Sequence, residues 1–196
     1  MLPKHSILMK KLIIATLLLV SAQFVGVAQK YSIDKAHSKL GFSVVHLMIS
    51  DVEGSFKISE ASLTASKDDF SDAAFTLTAD VNSVFTDQER RDAHLKSADF
   101  FDAAKFPTIS FKSKSFNKVG DRKYKLVGDL TMHGVTKQVS LDATLNGTTT
   151  NRQGKKVAGF KVTGSLNRTA FGVGSMPAAM VGEEIEIRAS GEFIQD

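Results

Sequence analysis

The stretch Tyr124-Lys125-Leu126-Val127-Gly128-Asp129-Leu130-Thr131-Met132 decides the fold. Tyr124, Leu126, Gly128, Leu130 and Met132 share one parity, while Lys125, Asp129 and Thr131 fall on the other with Val127. Successive side chains of a strand point to opposite faces, so this period of two predicts a strand with one buried and one solvated face.

The same period extends in both directions. Upstream, Leu40, Phe42 and Val44 alternate with Lys39, Gly41 and Ser43, and Val52, Gly54, Phe56 and Ile58 continue the pattern. Phe75, Leu77 and Val81 alternate with Thr76, Thr78 and Asp80. Downstream come Val139, Leu141, Ala143 and Leu145, then Phe160, Val162, Gly164 and Leu166, then Ile185, Ile187, Ala189, Gly191 and Phe193. Turn residues separate the runs at Asn117–Asp121, His133-Gly134 and Asn146–Gly154. The chain therefore reads as all-β and antiparallel.

Strands of this number and length bury their apolar faces in a two-sheet sandwich or in a sheet closed on itself. One helical segment, near Asp87 to Leu95, is available to cover an open face. That favours a barrel of about eight antiparallel strands with one short helical crossover. Such a barrel is either filled by its own side chains or holds one small ligand. Phe42, Phe56, Phe75, Phe111 and Phe160 share the apolar register and are expected to point inward. Gly54, Gly128, Gly164 and Gly191 fall in the same register, where they mark bends, room in the interior, or both.

The helical crossover is the segment Arg90-Arg91-Asp92-Ala93-His94-Leu95-Lys96-Ser97-Ala98-Asp99-Phe100-Phe101-Asp102, closing at Phe106-Pro107. A solvated helix would not carry the Phe100-Phe101 pair. The segment is thus either a lid over an interior or a surface crossover anchored by two rings.

The N-terminus places Lys4, Lys10 and Lys11 before the apolar run Leu12–Val20, followed by small residues up to Ala28. That order is the pattern of a cleavable signal peptide over residues 1–28, with one domain over 29–196. The three leader lysines account for most of the net charge of +4, so no nucleic-acid partner is read from it. The chain has no cysteine, which excludes thiol nucleophiles, disulfides and cysteine-based zinc sites. His37, His46, His94 and His133 stand in separate segments, with no His-x-x-x-His spacing and no Gly-x-Ser-x-Gly elbow. No cofactor or metal is expected. The domain should be exported to the periplasm or secreted, without stable membrane insertion, as a monomer or homodimer.

Several blocks, in order, resemble the YceI-like, polyisoprenoid-binding family. They are Tyr31-Ser-Ile-Asp34, His37-Ser38, Phe42-Ser-Val-Val-His46 and Val52-Glu-Gly-Ser-Phe56, then Arg91-Asp92 through Phe106-Pro107. Gly128-Asp-Leu-Thr-Met-His-Gly134, Gly159-Phe160 and Asn167-Arg168-Thr-Ala-Phe171-Gly172 follow. Ala170 departs from the pattern, since many relatives carry an acidic residue there. The resemblance implies an extended eight-stranded antiparallel, lipocalin-like barrel whose elongated apolar pore holds a long-chain isoprenoid or similar amphiphilic lipid.

On that basis the tail would meet Phe42, Val44, Phe56, Phe75, Leu77, Phe111, Leu130, Phe160 and Phe171, with Phe100 and Phe101 closing the barrel. Arg91 and Arg168 offer planar, permanently charged donors to a head group, and His94 shares a helix face with Arg91. The other reading of both arginines is a brace between the crossover and nearby carboxylates or carbonyls. Two functions stand: a non-enzymatic carrier, or an enzyme or metal-dependent redox protein using convergent histidines.

Overall fold

The structure, a computed structural model, describes residues 27–196. The expected signal peptide lies outside the described residues except for Val27 and Ala28. Eight strands follow in order: β1 (Gln29–His46), β2 (Ser50–Ala65), β3 (Ala74–Phe85), β4 (Thr108–Gly120), β5 (Lys123–Met132), β6 (Val135–Thr150), β7 (Lys156–Asn167) and β8 (Val181–Gln195). Each pairs antiparallel with the next, and β8 pairs back onto β1, so the sheet closes into a barrel. Closure removes the two free edges that an open eight-stranded sheet would expose.

The expected crossover helix is α1 (Glu89–Lys96), between β3 and β4. Gln88 caps it: the Gln88 carboxamide oxygen accepts from the Arg91 N–H at 2.6 Å. A single 3₁₀ turn, Thr169–Phe171, opens the connection from β7 to β8.

Two loops expected from polar composition are instead paired strand. β4 runs through Asn117 to Gly120 and turns only at Asp121-Arg122, with Arg122 at φ 52°. β6 runs through Asn146 to Thr150, paired with β7 down to Thr150↔Lys156, and the turn is Asn151–Lys155. These ends project past the apolar interior, so the backbone ladder rather than an apolar face holds them as strand. The His133-Gly134 turn stands as expected, with both residues at positive φ, the geometry of a two-residue hairpin.

β1 carries a large irregularity. Eight steps from Ser32 to Leu40 face six on β2, from Ser62 to Phe56. The extra chain is folded on Asp34, whose carboxylate accepts from the Ala36 N–H at 2.9 Å and lies 2.9 Å from His37 Nδ1. The bulge lets Tyr31 and Ile33 below, and Leu40 and Phe42 above, all point inward despite the break in register.

The interior splits into two apolar clusters stacked along the barrel. The ends differ by topology. The β1–β2, β3–β4, β5–β6 and β7–β8 connections lie at one end, here the upper. Both ends of the described residues and the other three connections lie at the lower.

Candidate functional site

The lower end is closed by a plug. The β2–β3 loop, Ser66–Ala73, turns back into the barrel and inserts Phe70, which is fully buried at φ 57°. Its ring meets Tyr31 at 5.6 Å and Phe160 at 5.5 Å, both edge-on. Phe75, Phe116, Tyr124 and Phe193 complete an aromatic floor, with Phe116 stacked on Tyr124 at 4.3 Å. The loop is tied by the Asp72 carboxylate, which accepts from the Ser66 and Lys67 N–H groups at 2.9 and 3.2 Å. The Tyr124 hydroxyl donates to the Asp69 carbonyl.

The upper end is closed by the crossover and the β7–β8 loop. Thr86, just past β3, organises the crossover: its Oγ1 donates to Asp92 at 2.5 Å and accepts from Arg91 Nε at 2.8 Å. Arg91 Nη2 also donates to the Thr86 carbonyl at 2.6 Å. Beyond α1, Phe101 turns inward, edge-on to Phe56 at 5.4 Å. Phe100 is buried outside the lumen, between the His94 ring at 5.0 Å and Gly174.

Arg168 is the buried centre of the β7–β8 loop, with 3 % of its surface exposed. Nε donates to the Gly182 carbonyl, Nη1 to Val173 and Gly174, and Nη2 to Met176 and Val181, all between 2.7 and 3.0 Å. Its five donors are therefore satisfied by five carbonyls. No carboxylate lies within ion-pair distance among the described residues, which fits Ala170 in place of an acidic residue. Burial pulls its guanidinium below the ordinary arginine value, partly offset by the charge of Glu183.

Between floor and cap lies an apolar lumen of about 190 Å³. Phe42, Phe56, Phe75, Leu77, Phe101, Phe111, Leu130, Phe160 and Arg168 all line it. Val44, Arg91, His94, Phe100 and Phe171 do not. Val44 sits higher, paired with Val52 and Ile185 near the rim. Arg91 faces Thr86, His94 is exposed beside Asp99 at 3.3 Å, and Phe171 is buried in the upper cluster. Lining residues outside the candidate set include Leu40, Ile109, Val139, Val162, Leu166 and Ile187. Their parity carried the signal, but their smaller side chains drew less notice than the phenylalanines. Phe70 was missed because nothing in Asp68-Asp69-Phe70-Ser71-Asp72 shows a polar loop folding inward.

Gly191 lines the lumen, but Gly54 and Gly128 do not enlarge it. A Cβ at Gly54 would lie 2.3 Å from the Phe42 ring, and one at Gly128 2.4 Å from the Phe111 ring. At these two positions the missing side chain gives space to a ring from the neighbouring strand, while at Gly164 the space is taken by Leu141. The lumen stays open where the lining is aliphatic: the inward residues Val162, Leu166, Ile185, Ile187 and Ala189 are not fully buried.

The histidines do not converge. His37 lies on the outer wall, His46 at the top of β1, His94 on α1 and His133 in the β5–β6 turn against Phe106 at 4.8 Å. Among the described residues, one grouping has the reach of a metal site: Asp34, His37 and Glu192. It faces outward, since the neighbouring Ile33 and Phe193 face the lumen. The hydrogen bond from His37 raises its own pKa and lowers that of Asp34, an ion pair sufficient to explain their proximity.

Comparisons with known proteins agree with this architecture. The YceI-like domain matches residues 31–193. A UPF0312 protein of Staphylococcus aureus is 38% identical over 169 residues, covering 83% of this chain and 96% of that protein. The crystal structure of a Campylobacter jejuni YCEI protein is 33% identical, with a TM-score of 0.69 over 85% of this chain and 98% of that one. Burkholderia cenocepacia BcnA aligns at a TM-score of 0.72 and 25% identity, over 82% and 98% of the two chains. A polyisoprenoid binding domain from Saccharophagus degradans shares the fold at a TM-score of 0.60 and 16% identity, over 85% and 98%. With a domain match over residues 31–193 and a relative 38% identical across most of both chains, the chain belongs to the YceI-like family.

Proposed function

We propose that the protein is an exported, non-enzymatic carrier that holds the chain of an isoprenoid or similar amphiphilic lipid in its barrel. The carrying observation is the lumen between two closures, lined almost wholly by hydrocarbon, with its one charged side chain turned onto backbone carbonyls. A site without a nucleophile, base or polarising group binds apolar matter and does little else. The polyisoprenoid-binding neighbour supports the class of ligand.

Size constrains how such a ligand sits. An apolar cavity of about 150 Å³ holds a benzene, so the 190 Å³ lumen takes roughly one or two isoprene units as it stands. A longer chain enters only as Phe42, Phe56 and Phe101, which meet edge-on or tilted below the cap, swing aside. If about 500 Å² of tail is buried, the gross gain is about 12 kcal/mol at 25 cal/mol/Å². Ordering of the chain and loss of overall motion remove much of that, leaving a reversible carrier.

The orientation follows from the same contrast. The floor is packed with rings, so the tail points down, and the head group sits at the upper end near the Arg168 loop. Because Arg168 has no free donor, it contributes a positive field there rather than direct hydrogen bonds. Native mass spectrometry of protein purified from its source organism tests the reading. One lipid per barrel, released by solvent extraction, is the expected result. An empty barrel that turns over a substrate would overturn it.

A further inference from the structure

Eight large hydrophobic side chains are exposed among the described residues, and five of them meet at one spot: Val45, Leu47, Met48, Ile49 and Met180. Leu47, Met48 and Ile49 form the tip of the β1–β2 hairpin and are 47, 74 and 84 % exposed. The Leu47 N–H donates to the Met180 carbonyl at 3.0 Å, joining this tip to the exposed Pro177-Ala178-Ala179-Met180 of the β7–β8 loop. Two loops thus present one convex apolar knob at the upper end of the barrel, beside the Arg168 loop.

The backbone makes this knob costly. Leu47 and Met48 both have positive φ, 51° and 61°, as the central residues of a turn closed by the Ile49 N–H on the His46 carbonyl at 3.2 Å, positions whose natural occupants are Asn and Gly. Branched or long apolar residues there are strained, and their exposure returns no core packing. Nothing in the fold requires them. Asp51, Glu53, Glu183, Glu184 and Glu186 lie exposed just behind the tip, and the basic Arg188 beside them is paired with Glu186 at 3.0 Å. The collar is therefore acidic.

We propose that this knob docks the barrel reversibly on a bilayer surface of low net charge. The proposal rests on the carrier reading, since a lipid that enters at the upper end must leave a membrane there. A protruding tip of a few residues is too small for a specific protein interface, which needs about 800 Å² on each partner. It is the right shape to enter the boundary between head groups and acyl chains, as interfacial apolar segments do. The acidic collar repels anionic lipid, so binding should weaken as anionic lipid is added, opposite to the usual electrostatic attraction.

Flotation with extruded vesicles tests this, using phosphatidylcholine alone and phosphatidylcholine mixed with phosphatidylglycerol. The protein should float with the neutral vesicles and less with the mixed ones. The double variant Leu47→Asn, Met48→Gly suits the turn better, so its melting temperature should hold or rise while vesicle partitioning falls on the order of 100-fold. A parent protein that stays at the bottom of the gradient overturns the proposal, as does a variant that floats as well as the parent. Stronger binding to the mixed vesicles also overturns it. Size-exclusion chromatography that finds a dimer abolished by the variant would reassign the knob as a contact between copies. The carrier reading fails separately, if protein that floats normally contains no extractable lipid.

Discussion

The two ends of this barrel are made from the same alternating strands, yet one is solid and the other hollow. At the lower end, Tyr31 and Phe160 meet the inserted Phe70, Phe75, Phe116, Tyr124 and Phe193 join the same cluster, and the inward rings fill the cross-section. At the upper end the inward positions of β7 and β8 include Leu166, Ile185 and Ile187, and a lumen remains. Parity decides which residues face in; side-chain volume and the connecting loop decide whether the inside is full. The plug loop closes the solid end, whereas the cap closes the hollow one.

The sharpest way to break that contrast is to truncate one residue at each end. Phe160→Ala removes a ring wedged among Phe70, Phe75, Phe116 and Phe193, and should cost about 3–5 kcal/mol in denaturant unfolding. Ile187→Ala already borders open space, so it should cost no more than about 1–2 kcal/mol while weakening lipid retention. Equal costs for the two would mean the upper half is as solid as the floor.

Arg168 comes next. Replacement by Lys keeps the charge but loses the planar fork, and a single ammonium cannot reach five carbonyls spread from Val173 to Gly182. A loss of about 2–3 kcal/mol is expected, with the β7–β8 loop becoming accessible to protease. Unchanged stability combined with lost lipid binding would instead show that the arginine serves the ligand.

A finer comparison separates two glycines whose space is taken by rings. A methyl at Gly54 meets only side-chain atoms, of Phe42 and Thr86, while one at Gly128 also meets the Lys112 carbonyl at 2.5 Å. Side chains move and a paired strand does not. Gly128→Ala should therefore cost about 1–3 kcal/mol and Gly54→Ala less, as read by thermal unfolding of the two variants. The reverse order would show that Phe42 is held more rigidly than the β4 backbone.

The fold was legible because alternation reports which way a side chain points, and Tyr124–Met132 or Ile185–Phe193 admits no other regular reading. Closure was legible only indirectly, from the shortage of helix to cover an open sheet. What the pattern could not carry is anything fixed by loops. Phe70 sits among four polar neighbours, and its burial depends on a turn held by Asp72 within the loop and by Tyr124 from elsewhere in the chain. Arg168 stood out as a candidate for head-group contact or for bracing the fold, and its partners are carbonyls, which any sequence offers equally. Arg91 likewise pairs with the Thr86 hydroxyl and carbonyl, five residues back. The glycines were placed in the right register, yet whether their space belongs to a ligand or to Phe42 and Phe111 is a matter of cross-strand neighbours.

The plug also has an electrostatic signature. Asp69 accepts from the Ser71 N–H at 3.0 Å and from Lys118 at 3.1 Å, and these bonds hold its carboxyl down to about 2. Its ordinary value is near 3.9 in an unfolded chain, so the folded state favours the ionised form. A depressed carboxyl contributes stability fully above its unfolded value and loses it as pH falls through its folded value. The contribution should be present at neutral pH and vanish progressively between about pH 4 and about pH 2. Asp69→Asn cannot ionise, so its deficit relative to the parent should shrink over that window and close near pH 2. Because the group is solvent-exposed the effect is small, and paired urea titrations at pH 6, 4 and 2 would measure it. A deficit that stays constant with pH would mean Asp69 shapes the plug loop through its hydrogen-bond geometry alone, leaving the floor closed by packing without help from charge.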